Sequence, residues 1–345
     1  MTSNVSIFDL DGIKIADLTA NVRRTWKLND YGQAFFTLSE NDAISNLRYV
    51  QFGRYMTVEH DKLGMWGGMI DPPRNWGYHQ FEVVSYSAEY VLKQMRTPMN
   101  WTMGSGDPGK IIQKLISDSD GFKESLLQFG EINHDGHKGS HDSHLANLLD
   151  DVKTIIKNHG GDLGIEPTIN SSGRLSFILS YYSKRGQTRL SGLDENSNCK
   201  LMQRPMIEQG TIINDMIGYD STEGTWDNRM RSRKIDETSQ NEYGRRYSAF
   251  SHTVGHQQNA SDNLTQKHLD ANKQPRKTFD LAALDVNNTF YNLRIGDVIP
   301  IHLSTIGFTD AGFGLDTTGR IIGMTYDDLS GELALVFDED TTYDA

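Results

Sequence analysis

The feature that most constrains the fold is a pair of consecutive prolines, Pro72 and Pro73, between two strand-like segments. Proline fixes the backbone φ angle and removes the amide donor, so no β-ladder continues through this pair. Asp71 is held in an extended conformation, because a residue before proline clashes with the proline ring in the helical region. The segments on either side must therefore form separate strands that are joined by a rigid corner.

The residues around this corner predict a strand, a turn, a second strand and a short helix. The first strand covers residues 66–70 and the second covers residues 81–86. Beyond Ser87 the apolar residues change to helical spacing, which ends the second strand there. The unit contains no reactive group, so we interpret it as scaffold. Its candidate turn or interface residues are Trp66, Asp71, Pro72, Pro73, Arg74 and Trp76.

The chain divides into three parts by pattern, and a length of 345 residues agrees with two or three domains. Short alternating strands fill residues 1–97, helical patterns appear in residues 98–200, and strand patterns return in residues 201–345. We predict a mainly β (α+β) fold, with a β domain at 1–97 that is an antiparallel barrel or sandwich, an α/β insertion at 98–200 and a second β domain at 201–345. In one alternative, a strand at 211–219 completes the first barrel.

Helix signals set the predicted content of the insertion, which is two helices and a hairpin. Asp107 is a good N-cap, and Pro108 suits the first helical position. A second helix is predicted from Asp142 or Ser143 up to Gly160, where a glycine pair stops it. The hairpin is predicted to have strands at 165–169 and 175–181.

Charge and cysteine content exclude several classes of protein. The net charge of −12 argues against a general nucleic-acid-binding surface. The single cysteine, Cys199, rules out an internal disulfide and suits assembly in a reducing cytoplasm. No apolar run reaches the roughly 18 residues of a membrane-spanning helix, and no signal peptide precedes the first strand, so neither is expected.

One short motif suggests an enzyme instead. Asp9 and Asp11, in Ile7-Phe8-Asp9-Leu10-Asp11-Gly12, resemble the nucleophile and the acid/base of haloacid-dehalogenase-like metal-dependent phosphatases. Those enzymes place the motif on a parallel sheet, whereas residues 21–38 here predict antiparallel strands without a crossover helix. Asp11-Gly12 is also a strong hairpin signal. We favour the hairpin turn and keep the phosphatase as the alternative function.

Four histidines lie close together, at His134, His137, His141 and His144. Imidazoles at this density can bind zinc or nickel. Glycines between them make the loop flexible, which argues against a preformed metal site. We therefore predict that residues 133–144 form a solvent-exposed, metal-free loop, and we expect no cofactor.

Two further polar groups have simple structural interpretations. Lys200 would lower the pKa of the Cys199 thiol, but no histidine accompanies this cysteine in a nucleophile pattern, so we predict an inert or interface cysteine. Asp327 and Asp328 are predicted to lie in a solvated turn. A metal- or carbohydrate-binding accessory module is a third functional class, although too little chain follows residue 303 for a glycan-binding sandwich.

A basic run allows two interpretations. Arg229, Arg231 and Arg233 alternate, so they would share one face of a strand, and Arg245 and Arg246 follow. One interpretation is contact with DNA phosphates. The other is ion pairing with acidic neighbours or with another subunit, and the net charge of −12 favours it.

The sequence also resembles a known family. The turn Trp66-Gly67-Gly68-Met69-Ile70-Asp71-Pro72-Pro73-Arg74 and the following Tyr86-Ser87-Ala88-Glu89-Tyr90-Val91-Leu92 resemble the tail hub proteins of long-tailed bacteriophages, in the Gp-thirty-seven-like siphovirus tail family. Further similar segments lie at 108–116, 209–214, 243–246 and 293–299. This family is similar in fold to the central baseplate hub of contractile tails.

The resemblance implies a non-enzymatic structural virion protein. It implies a homotrimer in which each chain has two tail-tube-like β-barrel domains, at 1–97 and 201–345. Together these domains form a pseudo-sixfold ring at the distal end of the tail tube. The implied partners are a distal tail or tube protein, a tape-measure protein and tail fibre or receptor-binding proteins, with DNA passing through the lumen during genome ejection. The implied location is the virion tail tip, after assembly in the host cytoplasm.

Overall fold

In a computed structural model of the chain, strands are the commonest regular structure and helices are fewer and short. The structure describes residues 2–39, 41–42, 46–73, 75–77, 80–133, 139–202, 207–209, 211–220, 229–252, 258–274, 276–309 and 312–339. The mainly β fold class predicted from the sequence is confirmed.

The strands follow one another in short runs, as the turn-rich sequence predicts. In chain order they are β1 (Ser3–Phe8), β2 (Lys14–Ala20), β3 (Val22–Lys27), β4 (Gln33–Ser39), β5 (Tyr55–His60), β6 (Gly64–Ile70), β7 (Asn75–Gly77), β8 (Gln80–Ser87), β9 (Trp101–Gly106), β10 (Leu127–Ile132), β11 (Gly139–Ser143), β12 (Asp162–Ile169), β13 (Leu175–Tyr182), β14 (Leu193–Asp194), β15 (Cys199–Leu201), β16 (Ile207–Gln209), β17 (Asp215–Asp220), β18 (Arg231–Ile235), β19 (Tyr247–His252), β20 (Arg276–Ala283), β21 (Val298–Thr309), β22 (Gly312–Asp327) and β23 (Glu332–Glu339).

The helices of the described residues are short. They are α1 (Glu89–Lys93), α2 (Pro108–Asp118), α3 (Leu148–His159), α4 (Glu237–Tyr243), α5 (Gln258–Asp270) and a 3₁₀ helix at Val286–Asn292. Within the described part of the chain, no helix has the length and apolar character that a membrane crossing needs.

One large sheet joins the two ends of the chain. Its main path runs β15-β20-β23-β22-β3-β4-β8-β6-β5-β1-β2, with β7, β14, β16 and β21 attached at the sides. The long strand β22 makes the connection, because its first part pairs with β21 and its last part pairs with β3. Strands from 1–97 and from 201–345 therefore share one hydrogen-bonded surface.

The expected barrels are not seen as closed barrels. Among the described residues, β2 pairs only with β1 and β15 pairs only with β20, so both ends of the path stay open. The domain boundaries at 97 and 200 stay a prediction. Residues 215–220 pair with β18 and β19 in a separate three-stranded sheet, so the alternative in which 211–219 completes the first barrel is not the pairing that the structure describes.

The insertion follows the sequence pattern except at the start of α3. Asp107 caps α2 by accepting a hydrogen bond from the Gly109 amide, and β12 and β13 form the predicted hairpin. The predicted helix start at residues 142–143 is wrong, because β11 pairs there with β9. Helix α3 begins at Leu148, where the Asn147 side chain accepts hydrogen bonds from the amides of the first turn.

Apolar residues form three buried clusters. The first cluster contains Trp66 and is formed mainly by residues of β1–β6 and β8. The second is formed largely by residues of β20–β23. The third joins α1, α2, α3 and the hairpin with Phe8 and Tyr55 of the large sheet. The insertion is thus packed against the first strands through a shared core.

Candidate functional site

The proline corner is held by hydrogen bonds from two tyrosines. The Tyr90 hydroxyl donates to the Asp71 carboxylate at 2.7 Å, and the Tyr86 hydroxyl donates to the Pro72 carbonyl at 3.0 Å. The two rings stack with centroids 4.4 Å apart, and Tyr31 meets both edge-on. The Pro72–Pro73 peptide bond is cis. The corner is therefore tied to β8 by Tyr86 and to α1 by Tyr90, and neither tyrosine was predicted from the sequence as a site residue.

Burial and the neighbouring Asp71 carboxylate raise the pKa of Tyr90 to about 12, so this hydroxyl remains a hydrogen-bond donor at physiological pH. No periodic signal in the sequence indicated this arrangement, because Tyr86 lies in β8 and Tyr90 lies in α1, and neither the strand period nor the helix period relates residues in different elements.

The other corner residues differ in how far they are described. The Trp66 side chain is buried, and its Nε1 donates to the Thr25 carbonyl at 3.0 Å. Trp66 is thus a core residue of the first cluster. The backbone of Trp76 lies in β7, while its side chain and the whole of Arg74 fall outside the described residues. The role of the corner as an interface stays a prediction.

The motif at Asp9 and Asp11 forms a hairpin turn. It joins β1 and β2, which are antiparallel. The Asp9 carboxylate accepts hydrogen bonds from the amides of Asp11 and Ile13, so it stabilises the turn locally. A phosphatase would need this motif at the end of a strand in a parallel sheet, and the structure gives no support for that alternative.

The histidine segment is only partly described. His134 and His137 lie outside the described residues. His144 is exposed and its Nδ1 lies 3.2 Å from the Asn100 amide oxygen. His141 lies in β11, mostly buried, with Nε2 3.5 Å from the Asp151 carboxylate, so the prediction of a solvent-exposed loop is wrong at this residue. Among the described residues, no three His, Cys, Asp or Glu side chains are grouped as metal ligands.

The surroundings of Cys199 and Asp328 differ from, or add to, what the sequence predicted. Burial raises the pKa of the Cys199 thiol to about 11, and Glu195 and Asp194 add to this, which agrees with an inert cysteine. Asp328 is not solvated. It is buried, accepts a hydrogen bond from the Val22 amide at 2.9 Å and faces the buried Arg24 at 3.4 Å.

The basic run pairs with a buried carboxylate. Asp215 is fully buried, and Arg233 donates to both of its oxygens, at 2.7 Å from Nε and 2.6 Å from Nη2. Arg245 donates from Nε to Oδ2 at 2.8 Å. These hydrogen bonds, Arg233 first, hold the pKa of Asp215 below its usual range. Ion pairing with an acidic neighbour is therefore observed for Arg233 and Arg245. The interface roles of Arg245 and Arg246 stay predictions.

A cavity of about 530 Å³ lies between the large sheet, the hairpin of the insertion and residues 294–297. Its carboxylates are already engaged. Glu89 accepts a hydrogen bond from Ser87, Asp297 pairs with Arg189 at 2.9 Å, and Glu166 pairs with Arg185 at 2.8 Å. These contacts identify the cavity wall as a structural junction between three parts of the chain.

Comparison with known proteins reveals similarity in fold. No protein-family model matches the sequence, and no curated protein matches it. Among solved structures, the chain is similar to the prophage tail protein gp18 from Listeria monocytogenes, with a TM-score of 0.62 and 10% identity over 99% of this chain and 95% of that chain.

Two further tail proteins give the same result. The 43 kDa tail protein of prophage MuSo2 from Shewanella oneidensis has a TM-score of 0.62 and 11% identity, over 97% of this chain and 98% of that chain. A tail protein from Neisseria meningitidis has a TM-score of 0.62 and 13% identity, over 99% and 97%. The chain therefore has the fold of prophage tail proteins over almost its whole length, as the resemblance in its sequence implied.

Proposed function

We propose that this chain is a structural protein of a phage tail or of a tail-derived particle, and that it acts as the hub at the distal end of the tail tube. The observation that carries the proposal is the similarity in fold to prophage tail proteins, which spans 97–99% of the chain. Its activity is assembly, without an enzymatic step.

In this proposal the hub is a homotrimer of the chain, located at the virion tail tip and assembled in the host cytoplasm. Its neighbours would be a distal tail or tube protein, a tape-measure protein and tail fibre or receptor-binding proteins. The β regions would surround a lumen through which DNA passes during ejection, and the insertion would lie outside the tube wall. A net charge of −12 per chain supports such a conduit, because like charge keeps DNA from adhering to it.

The open edge of the large sheet supports assembly into a ring. Strand β2 has unpaired donors and acceptors along one side, within the part of the sheet that is described. Exposed edges invite pairing with another chain, and pairing between subunits removes that hazard. Cyclic symmetry lets one pair of surfaces serve every contact in the ring.

The test is electron microscopy of the native particle, with this chain carrying an epitope label. We expect three copies at the distal end of the tube. Six copies around the tube, or a single peripheral copy, would contradict the proposal. A phosphate-ester assay with magnesium tests the alternative enzyme, and turnover that Asp9→Asn abolishes would overturn the structural interpretation of the Asp9 turn.

A further inference from the structure

The small sheet of β17, β18 and β19 has one covered face. Helix α5 packs on it: Ser232 donates to Asp262 at 2.6 Å, and the Phe250 ring stacks on His268 at 3.9 Å. A Cβ at Gly218 would lie 2.3 Å from the Thr265 hydroxyl, so helix and sheet are in close contact. This face is complete within the chain.

The opposite face of the same sheet carries exposed arginine, tyrosine and isoleucine. The strand register brings Ile235, Asp215 and Tyr247 into one row. Tyr247 is 61% exposed and Ile235 is 46% exposed. The following rows add Arg233 beside Ile217, and Arg231 beside Tyr219. We call these residues, with Arg245, the basic face. Tyrosine and arginine are enriched at the centres of protein interfaces.

Asp215 pre-organises this face. Its buried carboxylate binds Nε and Nη2 of Arg233 and Nε of Arg245, so the two guanidinium groups are fixed next to each other. Both side chains are still exposed, at 46% and 63%. The hydrogen bonds described leave Nη1 of each arginine for a further acceptor. Arginines whose rotamers are already fixed lose less entropy when they bind a carboxylate.

The same chain carries an acidic surface that suits this face. Asp316 is exposed and pairs with His302, on neighbouring strands β22 and β21. Asp316, and then Asp194 and Glu195, raise the pKa of His302. We call Asp194, Glu195, Asp316 and His302 the acidic patch. It belongs to the large sheet, whereas the basic face belongs to the small sheet.

We propose that the basic face binds the acidic patch of a second copy of this chain. The contact joins two different surfaces, so each subunit uses its basic face toward one neighbour and its acidic patch toward the other. Such a head-to-tail contact forms a ring if the rotation closes. The inference assigns a contact to the proposed trimer and rests on that proposed function.

The experiment is sedimentation velocity of the full chain over a dilution series, at low and at high ionic strength. One variant, Arg231→Glu with Tyr247→Ala, disrupts the basic face and leaves Asp215 paired. A second variant, Asp316→Asn, removes the exposed charge of the acidic patch. Lys123→Glu is the control for Arg231→Glu, because it makes the same change of charge at an exposed loop of the insertion.

We expect the wild type and the control to self-associate, and salt to weaken that association. Each interface variant should raise the dissociation constant by at least about tenfold. An equimolar mixture of the two interface variants should form a dimer that grows no further, since the mixture retains one intact basic face and one intact acidic patch per pair. Circular dichroism of each variant checks that the fold is kept.

Several results would overturn the inference. Variants that associate as tightly as the wild type would show that the contact lies elsewhere, while three copies at the tail tip would leave the hub proposal standing. A wild type that stays monomeric at every dilution would exclude the contact. Binding of a labelled single-stranded oligonucleotide that Arg231→Glu abolishes, without self-association, would assign the face to nucleic acid instead.

Discussion

Arg24 and Asp328 form a buried ion pair between strand β3 and the turn after β22. Both side chains are essentially inaccessible, and burial lowers the pKa of Arg24 while Asp328 opposes that effect. Asp328→Ala should lower the free energy of unfolding by about 3–5 kcal/mol, because it leaves an uncompensated guanidinium inside the protein. Urea denaturation measures this loss.

The neighbouring Asp327→Ala is the matched control. Asp327 is half-buried at the end of β22, and its side chain accepts a hydrogen bond from the Leu329 amide at 2.9 Å. The substitution should cost about 1 kcal/mol or less. If both variants lost the same free energy of unfolding, the ion pair between Arg24 and Asp328 would contribute little to stability.

Glu89 gives a stability that depends on pH. Burial raises its pKa, and the hydrogen bond from Ser87 only partly offsets this. Because the folded state keeps the proton more tightly, the contribution of Glu89 is fully present below the pKa of the unfolded chain and is lost as the pH rises through the raised pKa. Glu89→Gln should therefore become more stable relative to the wild type as the pH rises above the usual pKa of a glutamate, about 4.3.

The slope of that difference is at most about 1.4 kcal/mol per pH unit, the value for one proton. Urea unfolding of both proteins at a series of pH values measures it. Parallel pH profiles would show that Glu89 ionises alike in the folded and the unfolded chain.

Single-residue environments were the hardest to predict, because they depend on partners far along the chain. Asp328 looked like part of a solvated turn, and only its contact with Val22 and Arg24, at the other end of the sequence, makes it buried. The partner of Arg233 and Arg245 was equally hidden, since Asp215 reaches them only through the pairing of three strands. By contrast, the hairpin at Asp9–Gly12 is local, and the sequence predicted it correctly.

At the scale of elements, α3 depends on its N-cap residue, Asn147. Asn147 accepts hydrogen bonds from the amides of Leu149 and Asp150, and its Nδ2 donates to the Lys93 carbonyl at 2.7 Å, which ties α3 to α1. Asn147→Ala should cost about 1–2 kcal/mol, because a capping bond and a tertiary bond are lost together. Thermal unfolding provides the measurement.

Thr154→Ala, at an exposed position within α3, is the comparison and should change stability by less than about 0.5 kcal/mol. An Asn147→Ala protein as stable as this control would show that the helix forms without its cap.

Elements with a local signal were predicted well, and elements with a competing partner were not. The hairpin of β12 and β13 and the N-cap of α2 follow from nearby residues. The start of α3 was placed too early because Asp142 and Ser143 resemble helix caps. In the structure they pair with β9, a strand whose presence next to them cannot be deduced from periodicity.

At the scale of the molecule, Asp162 joins three parts of the chain. Its carboxylate accepts hydrogen bonds from the Asn29 side chain at 3.0 Å, from the Arg185 amide at 2.7 Å and from the Arg320 guanidinium. Asp162→Ala should cost at least about 3 kcal/mol, since it removes a buried, charged acceptor. It should also speed hydrogen exchange in β12 and in β22 together.

Asp30→Ala is the comparison: it removes a partly exposed pair with Lys153 and a local hydrogen bond from the Tyr31 amide, and it should cost about 1 kcal/mol. Faster exchange confined to β12 in Asp162→Ala would show that the insertion and the large sheet are held together by other contacts.

The pairing of β22 with β3 has a consequence for the synthesis of this protein. Val22 and Asp328, which meet there, are 306 positions apart. A ribosome therefore releases β3 long before its neighbour exists, and the nascent chain carries an unpaired edge for most of its translation. Such an edge invites pairing with other chains, so the nascent chain is most exposed to aggregation before β22 has been synthesised. Only a chain that has been translated through residue 327 can form the full pairing between β22 and β3, so a truncated copy keeps the open edge of β3.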